Sequence, residues 1–219
     1  MKKILLITLL VAFVLSSCQK ETLNLSKVIT YPMMTLTGDV AMTIPVGSSY
    51  IEKGCVVKEG QTDLSKLVKI SGTVNSTTPG VYTITYTYKN AGKIYPLDSL
   101  TLKVRRYVGV VTPGAAAMDI TGTYKRNAGA GGIATIVKTA YAGLYINDNP
   151  GGVVITSESD KVFMYMFQTD VAVIVAPSQK TNVGEFACTN GKYSSANKSY
   201  SWVCINGGYG TAVRTFIKQ

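Results

Sequence analysis

The sequence predicts an all-β protein: a small N-terminal β-sandwich followed by a second antiparallel β domain. Three observations carry this. Thr, Val, Tyr and Gly are plentiful, and these residues suit half-buried pleated surface and the turns between strands. Long stretches with the 3.6-residue apolar period of helices are absent. Short alternating runs are instead separated, every ten residues or so, by clusters of Gly, Pro, Asn, Asp and Ser.

In the N-terminal domain, residues 28–107, strands are predicted at 30–36, 40–44, 55–58, 68–71, 80–88 and 97–105. The run from Val81 to Tyr88 is the clearest, because it alternates cleanly, and Tyr82, Ile84 or Thr85, and Tyr86 sort into an inward and an outward face at period two. Turn chemistry breaks the runs at Thr37-Gly38-Asp39, Pro45-Val46-Gly47, Thr78-Pro79-Gly80 and Asn90-Ala91-Gly92. Residues 108–118 are small, turn-rich and uncharged, and read as an interdomain connection. In the C-terminal domain, residues 119–219, strands are predicted at 122–126, 133–138, 143–147, 153–156, 161–168, 171–176, 184–188, 192–194, 199–205 and 211–218. Their short spacing makes an antiparallel meander the economical topology, as a sandwich or an open barrel.

The chain opens with an export signal, residues 1–17. Lys2 and Lys3 are followed by an apolar run from Ile4 to Leu15. Twelve apolar residues span about 18 Å as a helix, too short for a bilayer core of roughly 30 Å. Leu15-Ser16-Ser17-Cys18 resembles the lipobox read by bacterial lipoprotein signal peptidase. The resemblance implies cleavage before Cys18, lipidation of Cys18 with palmitate-type acyl chains, and a short polar tether over residues 18–27. Gln19 is not the aspartate that retains enterobacterial lipoproteins in the inner membrane, so the outer membrane is expected, with the surface face slightly favoured.

Two stretches resemble a bacterial immunoglobulin-like module of surface proteins. They are Ile44-Pro45-Val46-Gly47-Ser48-Ser49-Tyr50 with Gly54 beyond it, and Val68 to Tyr86, which contains Ser71-Gly72-Thr73-Val74 and Pro79-Gly80-Val81-Tyr82. Glu52-Lys53 stands where that module usually has Asp-Pro, and Cys55 where it has a small residue. The C-terminal half, from Asp119-Ile120-Thr121-Gly122-Thr123-Tyr124 to the Tyr200-Ser201-Trp202 strand, is similar to the β-rich second domain of two-domain envelope lipoproteins of gut Gram-negative bacteria. Those second domains are of uncharacterised function, many accompany polysaccharide-uptake systems, and the resemblance carries no catalytic residues across.

The formal charge is +10, and losing Lys2 and Lys3 with the signal leaves +8. The basic residues are scattered. The densest runs are Lys103-Val104-Arg105-Arg106 and Lys125-Arg126, and no nucleic-acid partner is expected. The chain has no histidine, which removes the commonest general base and metal ligand. Its acids form no local catalytic motif. Gly129-Ala130-Gly131-Gly132 lacks the Lys-Ser/Thr of a phosphate loop and reads as a hairpin loop. Asp148-Asn149-Pro150-Gly151-Gly152 reads as a turn, with too few oxygen ligands for calcium. No enzyme activity, cofactor or metal is expected.

Cys188 and Cys204 are equidistant from a turn at Ser195–Lys198, so a hairpin would set them opposite each other. A cross-strand disulfide and two buried thiols both fit that register. Among fourteen tyrosines and one tryptophan, Trp202, Tyr209, Tyr200, Tyr145 and Tyr141 are the candidates for stacking on sugar rings. Trp202 is a lone tryptophan on an alternating strand, a place more often taken by a core residue. Tyr209 lies between Gly207-Gly208 and Gly210, which would leave it approachable. The expected function is a non-catalytic, lipid-anchored envelope protein that binds polysaccharide or oligosaccharide. The alternative is an adhesion or protein-interaction module with other envelope proteins as partners.

Overall fold

The computed structural model describes residues 30–90 and 100–219. The signal, the Cys18 lipidation site, the tether and the turn residues Ala91 and Gly92 lie outside the described residues. No helix among the described residues is long and apolar enough to cross a membrane.

The N-terminal module is a sandwich of two sheets. One joins β1 (Met33–Leu36), β3 (Cys55–Glu59) and β4 (Thr62–Asp63), all antiparallel. The other has the order β2 (Ala41–Pro45), β7 (Thr101–Val111), β6 (Gly80–Lys89), β5 (Lys69–Ser71). In it β2 runs parallel to β7. The alternation predicted for β6 is present: Ile84, Tyr86 and Tyr88 are buried and the threonines between them are not. Ile44, Val108 and Val110 form the apolar centre, with Met42, Val46, Tyr50, Val74 and Tyr82 against it.

Val108 to Val111, expected to begin a connection, instead complete β7 and are buried on both faces. Alternate residues face the sandwich core, while Tyr107 packs with Ala41 against Leu144 and Phe167 of the C-terminal domain. Gly109 allows this contact, since a Cβ there would lie 2.5 Å from Cδ1 of Phe167. The remaining connection is one helical turn, α1 (Pro113–Ala116), capped by the Thr112 hydroxyl.

The C-terminal domain is an antiparallel meander, as predicted, with eight strands where ten were expected, the runs at 184–188 and 192–194 being one strand, and it closes. The strands are β8 (Gly122–Arg126), β9 (Ile133–Lys138), β10 (Leu144–Asn147), β11 (Met164–Asp170), β12 (Val173–Thr181), β13 (Gly184–Ser194), β14 (Ser199–Ile205) and β15 (Val213–Lys218). β15 returns to pair with β8, with Phe216 opposite Arg126 and Lys218 opposite Tyr124. Closure satisfies the backbone groups that an open barrel would leave on its two edges. Irregular registers in β11 to β14 increase the local coiling that closure requires.

Eight strands enclose a space that side chains can fill. Tyr124, Ile136, Met164, Met166, Ile174, Phe186, Tyr200, Trp202 and Phe216 fill it. Tyr200 stacks on Phe216 with ring centres 4.6 Å apart, and Trp202 meets Tyr200 edge-on at 5.0 Å. The strand expected at 153–156 is irregular instead. The Asn149 side chain bonds both backbone groups of Val153, at 2.7 and 3.2 Å, in place of a neighbouring strand.

Candidate functional site

The candidate aromatics separate by depth. Trp202 and Tyr145 are 0% exposed and Tyr200 1%, so none of the three can stack on a ligand from solvent. Period two correctly groups Tyr200, Trp202 and Cys204 on one face, and barrel closure turns that face inward. The polar tips of the three side chains are used internally. Trp202 Nε1 donates to the carbonyl of Pro150 at 2.9 Å, the Tyr145 hydroxyl donates to that of Met118 at 2.9 Å, and the Tyr200 hydroxyl accepts from Asn147 at 3.0 Å.

Tyr141 belongs to the seam between the two modules. Its hydroxyl donates to the Asp39 carboxylate at 2.5 Å, and nearby Thr43 donates to the Ala142 carbonyl at 2.7 Å. A recess of about 680 Å³ runs along this seam beside Leu36, Val40, Lys103 and Tyr165. Its strongest polar groups are already paired. Arg105 bonds Glu185 at 2.8 Å, Tyr107 donates to the Ser178 carbonyl at 2.8 Å, and Gln179 bonds both backbone groups of Tyr165. Little is left there to recognise a ligand.

Tyr209 differs from the other four. It is half-buried on the β14–β15 loop at one mouth of the barrel. Its ring meets Phe186 edge-on at 5.1 Å, and the Arg214 guanidinium lies 4.6 Å from the ring centre. A cavity of about 620 Å³ opens beside it, lined also by Ser178, Glu185, Ile205, Asn206 and Thr211. That volume falls within the range of small-ligand pockets.

The segment Asn147–Gly152 seals the same mouth. It is a turn, as its composition suggests, but it is buried along its whole length and plugs the barrel. Asp148 accepts from the Thr135 amide at 2.6 Å and faces Lys161 at 3.4 Å, and Asn149 donates to the carbonyls of Ile133 and Val153. Internal groups therefore occupy both side chains that composition alone would offer to a cation. The described residues hold no cluster of metal-binding side chains. The Pro150 carbonyl accepts from Trp202 and, at 3.3 Å, from the Cys204 thiol, while Arg214 donates to the Gly151 carbonyl at 2.6 Å.

Cys188 and Cys204 are directly opposite each other on β13 and β14, as the hairpin arithmetic places them. Their sulfurs are 3.8 Å apart, and both are thiols. Burial pushes the Cys188 thiol far up from its usual range. Cys55 is also a free thiol.

In the sandwich, Glu52 forms an ion pair with the buried Arg106. Arg106 also donates to the carbonyls of Thr37 at 2.6 Å and Asp39 at 3.0 Å and to the Tyr86 hydroxyl at 3.3 Å. Burial works to raise the Glu52 pKa. Hydrogen bonds from Tyr50, Tyr86 and the Gly54 amide, with the charge of Arg106, outweigh it and hold the carboxyl below its ordinary value. Tyr50 is pushed up to about 12, by burial first and then by its bond to Glu52.

Residues 34–110 match the family model of the bacterial surface protein Ig-like domain. A cell-envelope location is in keeping with that family. Among solved structures, the chain is similar to a lipoprotein from Bacteroides thetaiotaomicron. The two share 19% identity over 86% of this chain and 100% of that one, with a TM-score of 0.36. No curated protein matches the chain.

Proposed function

We propose that this chain is a non-catalytic protein anchored through Cys18 to the bacterial outer membrane, where it captures glycan as an accessory to polysaccharide binding. The immunoglobulin-like module acts as a spacer and the barrel mouth as the recognition face. The observation that carries this reading is Tyr209, which is half-buried rather than buried and lines an open cavity with polar groups around it. An aromatic face beside hydrogen-bonding groups is the usual complement to a sugar ring. Confinement to a membrane raises effective concentration, so weak intrinsic affinity would suffice.

The test is retardation of the full chain, purified in detergent, by neutral and acidic polysaccharides at low and high salt. Retardation by at least one polysaccharide, lost in Tyr209→Ala, supports the reading. Indifference to every polysaccharide sinks it. That outcome would favour the protein-interaction alternative, for which Leu67 and Ile70, exposed at and beside the edge strand β5, are the apolar surface to probe.

A further inference from the structure

Among the described residues, the two arginines that flank the plug have no carboxylate partner. Strand parity brings them together. Tyr124 and Phe216 point into the barrel, so Arg126, two residues beyond Tyr124 and opposite Phe216, points the same way. Arg214 lies two residues before Phe216 and opposite the buried Trp202, so it shares that face at the same mouth. Both reach consecutive residues of the plug. Arg214 Nη1 donates to the Gly151 carbonyl at 2.6 Å, and Cδ of Arg126 lies so close to Gly152 that a Cβ there would fall 2.8 Å from it.

The neighbouring basic run behaves otherwise. Arg105 pairs with Glu185 and Arg106 with Glu52. Among the described residues, neither Arg126 nor Arg214 is in a salt bridge. The Nε of each is buried with no hydrogen-bond partner. Buried donors are nearly always satisfied, and a persistent exception points to a ligand, ion or water that completes the site. Both side chains reach the plug, and an anion bound there would offset two positive charges. Arg126 is reached through a cavity of about 330 Å³ that Lys125, Asn127, Gly129, Gly131 and Gln219 also line.

We propose that Arg126 and Arg214 form an anion-binding site that takes a sulfate, phosphate or carboxylate group. The fork of each guanidinium suits two-oxygen recognition of such groups. If the glycan reading above holds, the site selects acidic saccharides, and this extension rests on that reading. The anion site itself does not, because a free inorganic anion would satisfy the same donors.

Calorimetric titration of the full chain in detergent tests it, with inorganic sulfate, a sulfated disaccharide and its unsulfated counterpart as probes, in chloride buffers of matched ionic strength. Saturable sulfate binding is expected, weakened at least tenfold in the Arg126→Gln, Arg214→Gln double variant and unchanged in Lys103→Gln. Should the double variant fail to fold, Arg126→Lys, which keeps charge but loses the fork, is expected to weaken binding severalfold. Sulfate and the sulfated disaccharide binding equally well would support a free-ion site while failing the glycan extension. Absence of saturable binding by either anionic probe would overturn the site. So would disaccharide binding that the double variant retains, although glycan capture would then survive.

Discussion

The sandwich and the barrel each bring arginine inside, and they treat it in opposite ways. Arg106 is 1% exposed, yet a carboxylate, three backbone carbonyls and a tyrosine hydroxyl surround it. Arg126 and Arg214 are less deeply placed, but each keeps a buried Nε without an acceptor. A buried charge is tolerated where partners replace water and is costly where they do not. The difference separates a cation that holds a fold together from cations poised for something that arrives later. The densest basic runs in the chain thus do unrelated work, despite similar composition.

The largest effect expected from this comparison is at Arg106. Arg106→Ala strands the Glu52 carboxylate in a partly buried site and should lower the unfolding free energy by about 3–5 kcal/mol, read from urea denaturation. A loss below about 1 kcal/mol would mean that water replaces the guanidinium and that the pair is incidental. In the barrel, Trp202→Ala removes a core side chain together with one of the donors holding the plug. It should cost about 3–5 kcal/mol, whereas a nearly neutral outcome would restore Trp202 as a surface residue.

Acid sharpens the contrast. The Glu52 carboxyl is held below its ordinary value in the folded state, so it contributes stability above the unfolded-state pKa and loses it as pH falls through the lower folded value. Wild-type melting temperature should therefore drop on acidification more steeply than that of Glu52→Gln. Identical profiles would remove Glu52 as the titrating group. The smallest stability effect belongs to the barrel mouth. Arg126→Gln removes no ion pair and should change stability by less than about 1 kcal/mol without anion, while abolishing any stabilisation that sulfate confers on the wild type. A large intrinsic loss would make Arg126 a structural residue like Arg106. Oxidising conditions separate the modules in one further way. Cys188 and Cys204 face each other at 3.8 Å and, among the described residues, Cys55 has no such neighbour, so mild oxidation of the folded chain should remove the two barrel thiols and spare Cys55. Loss of none would leave the barrel pair as thiols.

Sequence pattern determined a good deal here. Period two in β6 and β14 sorted Ile84 from Thr85 and Trp202 from Val203, and turn chemistry placed Cys188 opposite Cys204, because pleat and hairpin register are local consequences of the chain. What the pattern could not say was which face of β14 pointed inward. Alternation is the same for a sandwich, an open barrel and a closed one, and the pairing of Phe216 with Arg126 joins strands about ninety residues apart. That pairing buries Trp202, Tyr200 and Tyr145, draws the Asn147–Gly152 turn into the mouth, and sets Arg126 beside Arg214. Closure is a long-range choice made by backbone hydrogen bonds that no local window contains, and so the depth of Trp202, Tyr200 and Tyr145 was decided by tertiary structure alone.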